Sequence, residues 1–326
     1  MFGPLRCFAA LPPAQSSYLA ARAVILSAPY DATTTYRAGA RDGPRAIIDA
    51  SLQLEHYDPE LRCEIASVGI HTLPELEPHL GGPQFMVERV RDAVSPLLAD
   101  GKLPLLLGGE HTLTAGAVAA CAAAHPDLAL LYLDAHADLR GPYLGAEYNH
   151  ASALRLALEA ISRPPSASVT QHAARSTQHF GDATRPPAVA VGVRSLAREE
   201  AEYVERTGLH VVWADTVAAT RRSGPPALEA LWQQALERLG PPGRPLYVSV
   251  DLDAFDPALL PAVGTPEPGG LEWYEVLALL RAAARRHPVV MADVMELAPA
   301  EGPVAAAFTA AKLVYKLIGY ALRLGA

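Results

Sequence analysis

The chain has 326 residues, of which 50% are hydrophobic, and a formal net charge of -8 at pH 7. This length is sufficient for one large α/β domain or two average ones, with a full hydrophobic core in either case. The negative charge argues against a nucleic-acid or anionic-membrane surface and is compatible with a cationic small-molecule substrate.

Short apolar runs alternate with longer helical patterns along the chain, which is typical of an α/β fold with a largely parallel sheet. We expect strands at residues 23–30, 103–109, 128–134, 188–194, 210–215, 246–253 and 289–297. Helices are expected at residues 44–55, 85–99, 112–124, 151–160, 197–207, 226–239, 271–286 and 303–324. We interpret residues 1–326 as one domain with an N-terminal arm over 1–22 and a polar, aperiodic insertion loop over 161–187.

The cysteines and the N-terminal residues indicate the cellular compartment in which the protein is expected. Cys7, Cys63 and Cys121 are widely spaced and odd in number, so they predict neither a disulfide framework nor a cysteine-type zinc site. The first residues, MFGPLRCFAALPPAQSS, do not have the sustained apolar core of a signal peptide, and we expect no membrane span further along. These features favour a soluble protein in a reducing cytoplasm.

The apolar run LLYLDAHADLR (130–140) ends in three ligand-type residues at alternating positions, Asp134, His136 and Asp138. Successive side chains on a strand point to opposite faces, so these three project the same way if the extended backbone continues. Like-charged carboxylates held this close repel each other, and burying them without a partner is costly. We therefore expect a metal ion between them.

Two further runs end in residues of the same kind. YVSVDLDAFDP (247–257) carries Asp251 and Asp253, and LPLLLGG leads into Glu110 and His111. The carboxyl ends of parallel strands share one edge of a sheet, where ligands bind. Taken singly, such residues are more often capping or helix-start residues. Together they supply two imidazoles and four carboxylates, which suits two divalent ions with shared carboxylates and favours Mn²⁺ over Mg²⁺ or Zn²⁺.

Four motifs resemble the ureohydrolase family of arginase and agmatinase: GGEHTLT (108–114), DAHADLR (134–140), SVDLDAFDP (249–257) and GTPEPGGL (264–271). Their order and spacing match the family, from about residue 30 to the C-terminal helix. The resemblance implies a three-layer α/β/α domain with a binuclear manganese centre. It assigns one ion to His111, Asp134, Asp138 and Asp251, and the other to His136, Asp134, Asp251 and Asp253. Asp134 and Asp251 would then bridge the two ions.

The resemblance also implies the reaction, which is hydrolysis of a guanidinium group to urea and an amine. Asp138 matches the family aspartate that hydrogen-bonds the nucleophile and passes its proton to the leaving amine, and His150 matches a proposed proton shuttle. Glu275, in GGLEWYE, aligns with the glutamate that pairs with the guanidinium. Without the resemblance, His150 and Glu275 are also explained as helix-start residues. Glu110 and Thr112 stand where the family often has Asp and Ser.

The stretches 30–47 and 192–208 resemble the agmatinase branch more than the arginase branch. We therefore favour agmatine or aminopropylagmatine as substrate, with putrescine or spermidine as product and a role in polyamine biosynthesis. Arginase-type patterns place small polar residues, notably Asn, just after the DAHAD motif, and the stretch 139–150 lacks them there. Glu147 could attract a distal ammonium, whereas Arg140 could bind a carboxylate and would then favour arginine or guanidinobutyrate.

Two other classes remain open from the sequence. Metal-dependent deacetylases share the broad fold, but their site would not require the doubled ligand set or Glu275. A metal-binding homologue without turnover is the other alternative, although the motifs contain no visible break. The family resemblance also implies a homo-oligomer that acts on a cationic guanidino substrate, with neither nucleic acid nor membrane as partner.

Overall fold

The computed structural model describes residues 7–162 and 185–325. The strands are β1 Ala23–Ala28, β2 Tyr57–Asp58, β3 Cys63–Glu64, β4 Ile70–Thr72, β5 Leu103–Gly108, β6 Ala129–Leu133, β7 Ala188–Val191, β8 His210–Val212, β9 Leu246–Asp251 and β10 Val289–Met295. The helices are α1 Pro13–Ser16, α2 Gly43–Ser51, α3 Pro83–Ala99, α4 Thr114–Ala124, α5 Ala153–Ser162, α6 Arg198–Thr207, α7 Ala214–Arg221, α8 Pro225–Glu237, α9 Trp273–Arg286 and α10 Val304–Ala321.

Within the described ranges, eight of these strands form one parallel sheet in the order β4-β1-β5-β10-β9-β6-β7-β8. The remaining pair, β2 and β3, forms a short antiparallel hairpin. β10 comes last in the chain, yet it lies near the middle of the sheet and pairs with both β5 and β9. The order thus makes β5, β10, β9 and β6 consecutive neighbours.

Helices cover both faces of the sheet. Alternate residues of β5 enter different hydrophobic clusters, with Leu105 and Leu107 in one and Leu106 in the other. The first cluster is completed by α2, α8, α9 and α10, and the second by α3, α4, α5 and α6. Because both faces are buried, the strands are nearly continuous apolar runs. This is the three-layer α/β/α architecture that the sequence predicted.

The seven predicted strands are all present, and each is shorter than expected. Five short elements were not predicted: β2, β3, β4, α1 and α7. β4 has only three residues, which is too short for a clear pattern. The run predicted to extend to residue 215 ends at Val212, and α7 begins two residues later. Of the predicted insertion loop over 161–187, Ile161 and Ser162 complete α5, and residues 163–184 lie outside the described residues.

The predicted N-terminal arm also begins outside the described residues. From Cys7 onward it packs on the rest of the chain, and Phe8 is fully buried in the first cluster. The backbone N–H of Phe8 donates to Thr72 Oγ1, and that of Ala9 donates to Ser51 Oγ. These contacts fix the segment against β4 and α2.

One helix, Val304–Ala321, is long and apolar enough to cross a membrane by length and composition alone. Two thirds of it (67%) is nevertheless buried inside the protein. It packs on α2 and α9 and contributes Val314 and Ile318 to the first hydrophobic cluster. Its apolar composition is therefore explained as that of a core helix.

Candidate active site and metal centre

The predicted ligand residues meet at the carboxyl edge of the four central strands. His111 begins a short 3₁₀ turn after β5, and Asp134 directly follows β6. Asp251 is the last residue of β9, and Asp253 lies in the 3₁₀ turn that follows. Because the central strands are neighbours and parallel, the sheet itself brings these residues together.

Glycine is required where β5 ends. A Cβ atom at Gly109 would lie 1.9 Å from the carbonyl oxygen of Tyr30. The backbone N–H of Glu110 also donates to this oxygen, at 2.7 Å. The chain can therefore turn toward His111 only by passing closer to the Tyr30 backbone than any other residue type allows.

Two groups of ligand atoms converge and share Asp134. In the first, His111 Nδ1 lies 3.0 Å from Asp134 Oδ2 and 3.0 Å from Asp251 Oδ2. In the second, His136 Nδ1 lies 2.9 Å from Asp253 Oδ2 and 3.5 Å from Asp134 Oδ1. Asp134 thus presents one oxygen to each group, as a bridging carboxylate would. Asp251 belongs to the first group, and its predicted role as a second bridge stays a prediction.

Asp138 lies beside the first group, 3.6 Å from His111 Nδ1. Its backbone has a φ of 49°, in the left-handed region that few residues other than glycine adopt. The hydroxyl of Tyr132 donates to Asp138 Oδ2 at 2.8 Å, and the Tyr132 ring stacks on His111 with ring centroids 4.6 Å apart. Tyr132 therefore orients both residues.

The donor set fits divalent metal ions. The four aspartates are at most 6% exposed, and burial followed by carboxylate repulsion raises the pKa of Asp251 well above its usual value. Burial lowers the pKa of His136, but the carboxylates of Asp253 and Asp134 outweigh it and raise that pKa to about 12. The buried Oδ2 of Asp134 accepts no well-formed hydrogen bond from the described residues, although His111 is close. These groups thus require positive charge at their centre.

A buried hydrogen-bond chain holds His111. Its Nε2 lies 2.8 Å from Ser249 Oγ, which donates to Asp293 Oδ1 at 2.7 Å. The other oxygen of Asp293 accepts from Tyr247 and Thr114. Because the Ser249 hydroxyl donates to Asp293, it accepts the Nε2–H of His111, so Nδ1 faces the carboxylates.

Neither the hydrogen-bond chain behind His111 nor the role of Tyr132 was predicted, although the sequence contains a signal for both. Tyr247, Ser249 and Asp251 occupy alternate positions on β9 and thus share one face. Tyr132 likewise lies two residues before Asp134. Polar residues at every second position of an otherwise apolar strand indicate a polar network that continues beneath the ligands.

His150 lies in a short 3₁₀ turn before α5, among threonines of the loop that follows β1. Its Nε2 is 3.2 Å from Thr35 Oγ1, and its backbone N–H donates to Thr33 Oγ1. Thr33 in turn donates to both carboxylate oxygens of Glu110, at 2.6 and 2.8 Å. Burial, and after it the positive charge of His136, lower the pKa of His150 to about 4.

Glu275 is buried at the start of α9, where its carboxylate already has partners. It accepts from the backbone N–H of Glu272 at 2.9 Å and forms a two-point ion pair with Arg221 of α7, at 2.5 and 2.8 Å. The capping role expected for a first-turn glutamate is thus present. Glu275 is predicted to pair with the guanidinium of the substrate. In this structure it pairs instead with the guanidinium of Arg221.

Arg140 and Glu147 were the residues whose orientation the sequence left open. Arg140 stacks over the Tyr143 ring at 4.6 Å, and its guanidinium lies 3.6 Å from Glu199 and 3.8 Å from Glu200. Glu147 is exposed on the same loop. Arg140 therefore already has carboxylate partners on α6.

Comparison with known proteins agrees with this fold. Residues 21–319 match the model of the arginase family. The chain is 35% identical over 312 residues to the N(1)-aminopropylagmatine ureohydrolase of Synechocystis sp., covering 94% of this chain and 90% of the relative. It is 33% identical to the agmatinase of Halalkalibacterium halodurans, covering 89% and 88%. The solved proclavaminate amidino hydrolase of Streptomyces clavuligerus superposes with a TM-score of 0.80 at 29% identity, covering 97% of each chain.

The α/β/α fold carries two groups of histidine and aspartate residues that could each hold a metal ion. The chain belongs to the arginase family. Within it, the protein is a hydrolase of the ureohydrolase type, in agreement with the sequence motifs.

Proposed function

We propose that the protein hydrolyses agmatine or aminopropylagmatine, releasing urea together with putrescine or spermidine. The observation that carries this proposal is the pair of ligand groups joined by Asp134 at the sheet edge. The names of the relatives support the substrate class. In the reaction, a C–O bond forms from water to the guanidinium carbon and a C–N bond breaks. Both protons of the water pass to the departing amine, which leaves as an ammonium, and the oxygen becomes the carbonyl oxygen of urea.

We further propose that the resident ions are two Mn²⁺ per chain. They would be held by the residues that the family pattern assigns: His111, Asp134, Asp138, His136, Asp251 and Asp253. When bound there, two divalent ions would supply an activated water nucleophile for attack on the poorly electrophilic guanidinium carbon. Mixed imidazole and carboxylate ligation suits Mn²⁺.

Asp138 and His150 are proposed to transfer protons from the attacking water to the leaving amine. The hydroxyl of Tyr132 holds one oxygen of Asp138, which orients the carboxyl group against the ligand cluster. Burial and the positive charge of His136 lower the pKa of His150, which favours the neutral imidazole, the form of histidine that takes up a proton. The threonine contact at its Nε2 fixes the orientation of the ring.

Glu275 is proposed to pair with the substrate guanidinium. This role is supported by its two-point contact with Arg221, in which the carboxylate already pairs with a planar guanidinium. A substrate would take the position of this internal partner or share the carboxylate with it. Arg221 also pairs with Glu272 at 3.0 Å, so it keeps a carboxylate partner if Glu275 is released.

The test is urea release from agmatine, aminopropylagmatine, arginine and guanidinobutyrate with Mn²⁺ present. We expect the two amines to be the best substrates, because Arg140 is engaged by Glu199 and Glu200. Faster hydrolysis of arginine or guanidinobutyrate would contradict the substrate assignment while leaving the reaction class intact. Absence of urea from every compound, or acetate release from acetylated amines instead, would contradict the reaction class.

The compartment and assembly remain part of this proposal. We propose a cytoplasmic enzyme, on the basis of its unpaired cysteines and the apolar helix that is accounted for by the core. A homo-oligomer is proposed from the family resemblance. Gel filtration with light scattering on the metal-loaded protein measures the number of subunits, and a monomer would contradict this part.

A further inference from the structure

The ligand cluster opens to solvent beside His136. The side chain of His136 is 25% exposed, whereas those of Asp134 and Asp253 are 1% and 2% exposed. Glu267 lies at this opening, with Oε1 3.9 Å from His136 Nε2 and a side chain that is 36% exposed. A substrate whose guanidinium reaches the cluster therefore has the rest of its chain near Glu267.

The backbone of Glu267 is held in place from two directions. Glu267 lies between Pro266 and Pro268, whose rings restrict the backbone on either side. Arg194 donates to the carbonyl oxygens of Glu267 and Pro268 at 2.7 and 3.0 Å, and to that of Asp253 at 2.8 Å. One guanidinium thus ties the segment that carries Glu267 to the segment that carries a ligand. This fixes the distance from the Glu267 backbone to the cluster before any substrate arrives.

The charges around the opening beside His136 allow the Glu267 carboxylate to attract a cation. Two divalent ions would neutralise the charges of the four aspartates, so these aspartates would then attract a distal cation only weakly. Arg140 is engaged by glutamates of α6, and the Arg194 guanidinium donates to backbone carbonyl oxygens. Glu267 therefore places a negative charge where the end of the substrate distant from the guanidinium emerges.

We propose that Glu267 binds the distal ammonium of the substrate and so selects guanidino amines over guanidino acids. This assignment rests on the proposed guanidino hydrolysis. The distal ammonium is remote from the bonds that change, so its contact is equally strong in the ground state and the transition state. Such a contact affects KM and leaves kcat unchanged.

The experiment compares three guanidino compounds that differ only at the far end: agmatine with an ammonium, 4-guanidinobutanol with a hydroxyl and 4-guanidinobutyrate with a carboxylate. In Glu267→Gln, KM for agmatine should rise about five- to tenfold, as expected for a partly exposed ion pair. KM for the alcohol should stay constant, and KM for the acid should fall. Glu267→Lys should enlarge both changes.

Two other variants complete the design. Glu237→Gln removes the same charge from the exposed end of α8, at the opposite edge of the sheet, and should leave all three KM values unchanged. Glu147→Gln tests a second glutamate, which is exposed on the loop between Asp138 and His150. The assignment of the ammonium site to Glu267 would be overturned if KM changed with the charge of the compound in Glu147→Gln but not in Glu267→Gln.

The remaining outcomes are also decisive. An equal loss for all three compounds would mean that Glu267 contacts the guanidinium or supports His136, and reduced Mn²⁺ content in Glu267→Gln would indicate the latter. Unchanged kinetics for every compound would likewise overturn the proposal. Failure of the proposed function is a different result, because wild-type protein would then release no urea from any of the three.

Discussion

Asp134 is the residue on which the two ligand groups depend, because it gives one oxygen to each. Its backbone N–H donates to the carbonyl of Val191 on the neighbouring strand, which fixes its position. A carboxylate with both oxygens committed in this way cannot be replaced by an amide, since the amide nitrogen carries protons and no charge.

We therefore expect Asp134→Asn to lose most of the bound Mn²⁺ and nearly all urea release, and Asp251→Asn to behave similarly. Elemental analysis after dialysis measures the loss. Asp256→Asn is the matched control, because this aspartate belongs to the same DLDAFDP motif but accepts backbone N–H groups of Ala258, Gly269 and Gly270. Two ions per chain in the Asp134 variant would contradict the bridging assignment.

A second prediction at this scale concerns Glu275. Glu275→Gln should lower kcat/KM for the best substrate at least about tenfold without changing metal content, because a charge-assisted hydrogen bond is worth about 1.5–3 kcal/mol. Glu272→Gln is the control, since Glu272 pairs with the same Arg221 but has a side chain that is 60% exposed. Equal kinetics for the two variants would leave Glu275 with only its capping role.

Sequence alone led to the proposed ligand residues because they follow apolar runs in motifs with fixed spacing. It could not find Arg221, which reaches Glu275 across 54 positions of the chain and belongs to a helix that was not foreseen. Glu267 was overlooked for another reason: a glutamate between two prolines indicates a surface loop until the neighbouring His136 is seen. Long-range pairs of this kind depend on tertiary structure that local patterns do not encode.

At the scale of elements, β9 combines two kinds of residue on one strand. Leu246, Val248 and Val250 enter one hydrophobic cluster, while Tyr247, Ser249 and Asp251 face the polar network on the other side. The strand was predictable from its apolar residues. The link from Ser249 to Asp293 was not, because β10 is adjacent to β9 in the sheet but is separated from it in the chain by α9.

This link predicts that Ser249→Ala weakens Mn²⁺ binding. Without the hydroxyl, His111 Nε2–H loses its acceptor and Asp293 loses a donor, so the imidazole is no longer held with Nδ1 toward the carboxylates. Supporting residues of this kind typically contribute about 10–100-fold in metal affinity. Titration with Mn²⁺ measures the affinity. Ser27→Ala is the control, since that buried strand hydroxyl has no hydrogen-bond partner in the described chain.

The missed elements have a common physical cause. β4 has three residues and pairs with β1 alone, so its extended form is set by that neighbour. α7 is short and follows the apolar residues of β8 and Trp213 directly, so the predicted strand includes its first two residues, Ala214 and Asp215. Elements of this length are determined by packing more than by their own periodicity.

At the scale of the whole molecule, acid stability should depend on His287, which is fully buried between α9 and β10. Its Nδ1 faces the carbonyl of Arg244, and burial lowers its pKa. The unfolded state therefore binds the proton more readily. The free energy of unfolding should fall as pH drops below about 6.5, and His287 should contribute no pH dependence above that value.

Replacement by a group that cannot titrate tests this prediction. His287→Phe should show a shallower loss of stability than wild type between about pH 6.5 and pH 5, a window below the usual histidine pKa. Denaturant unfolding at several pH values gives the slope of the unfolding free energy against pH for each protein. Only these slopes are compared, so a loss of stability from altered packing that is the same at every pH does not affect the result. Parallel curves for the two proteins would contradict the role of His287.

The position of β10 determines when the site can assemble during synthesis. β6 and β9 are direct neighbours and can bring Asp134 and Asp251 together early, but β5 reaches them only through β10. Until the ribosome has released Val289–Met295, β5 and β9 each have an unpaired edge that can template pairing with another chain. His111 consequently joins the other ligands late, so a nascent or truncated chain lacks the complete ligand set.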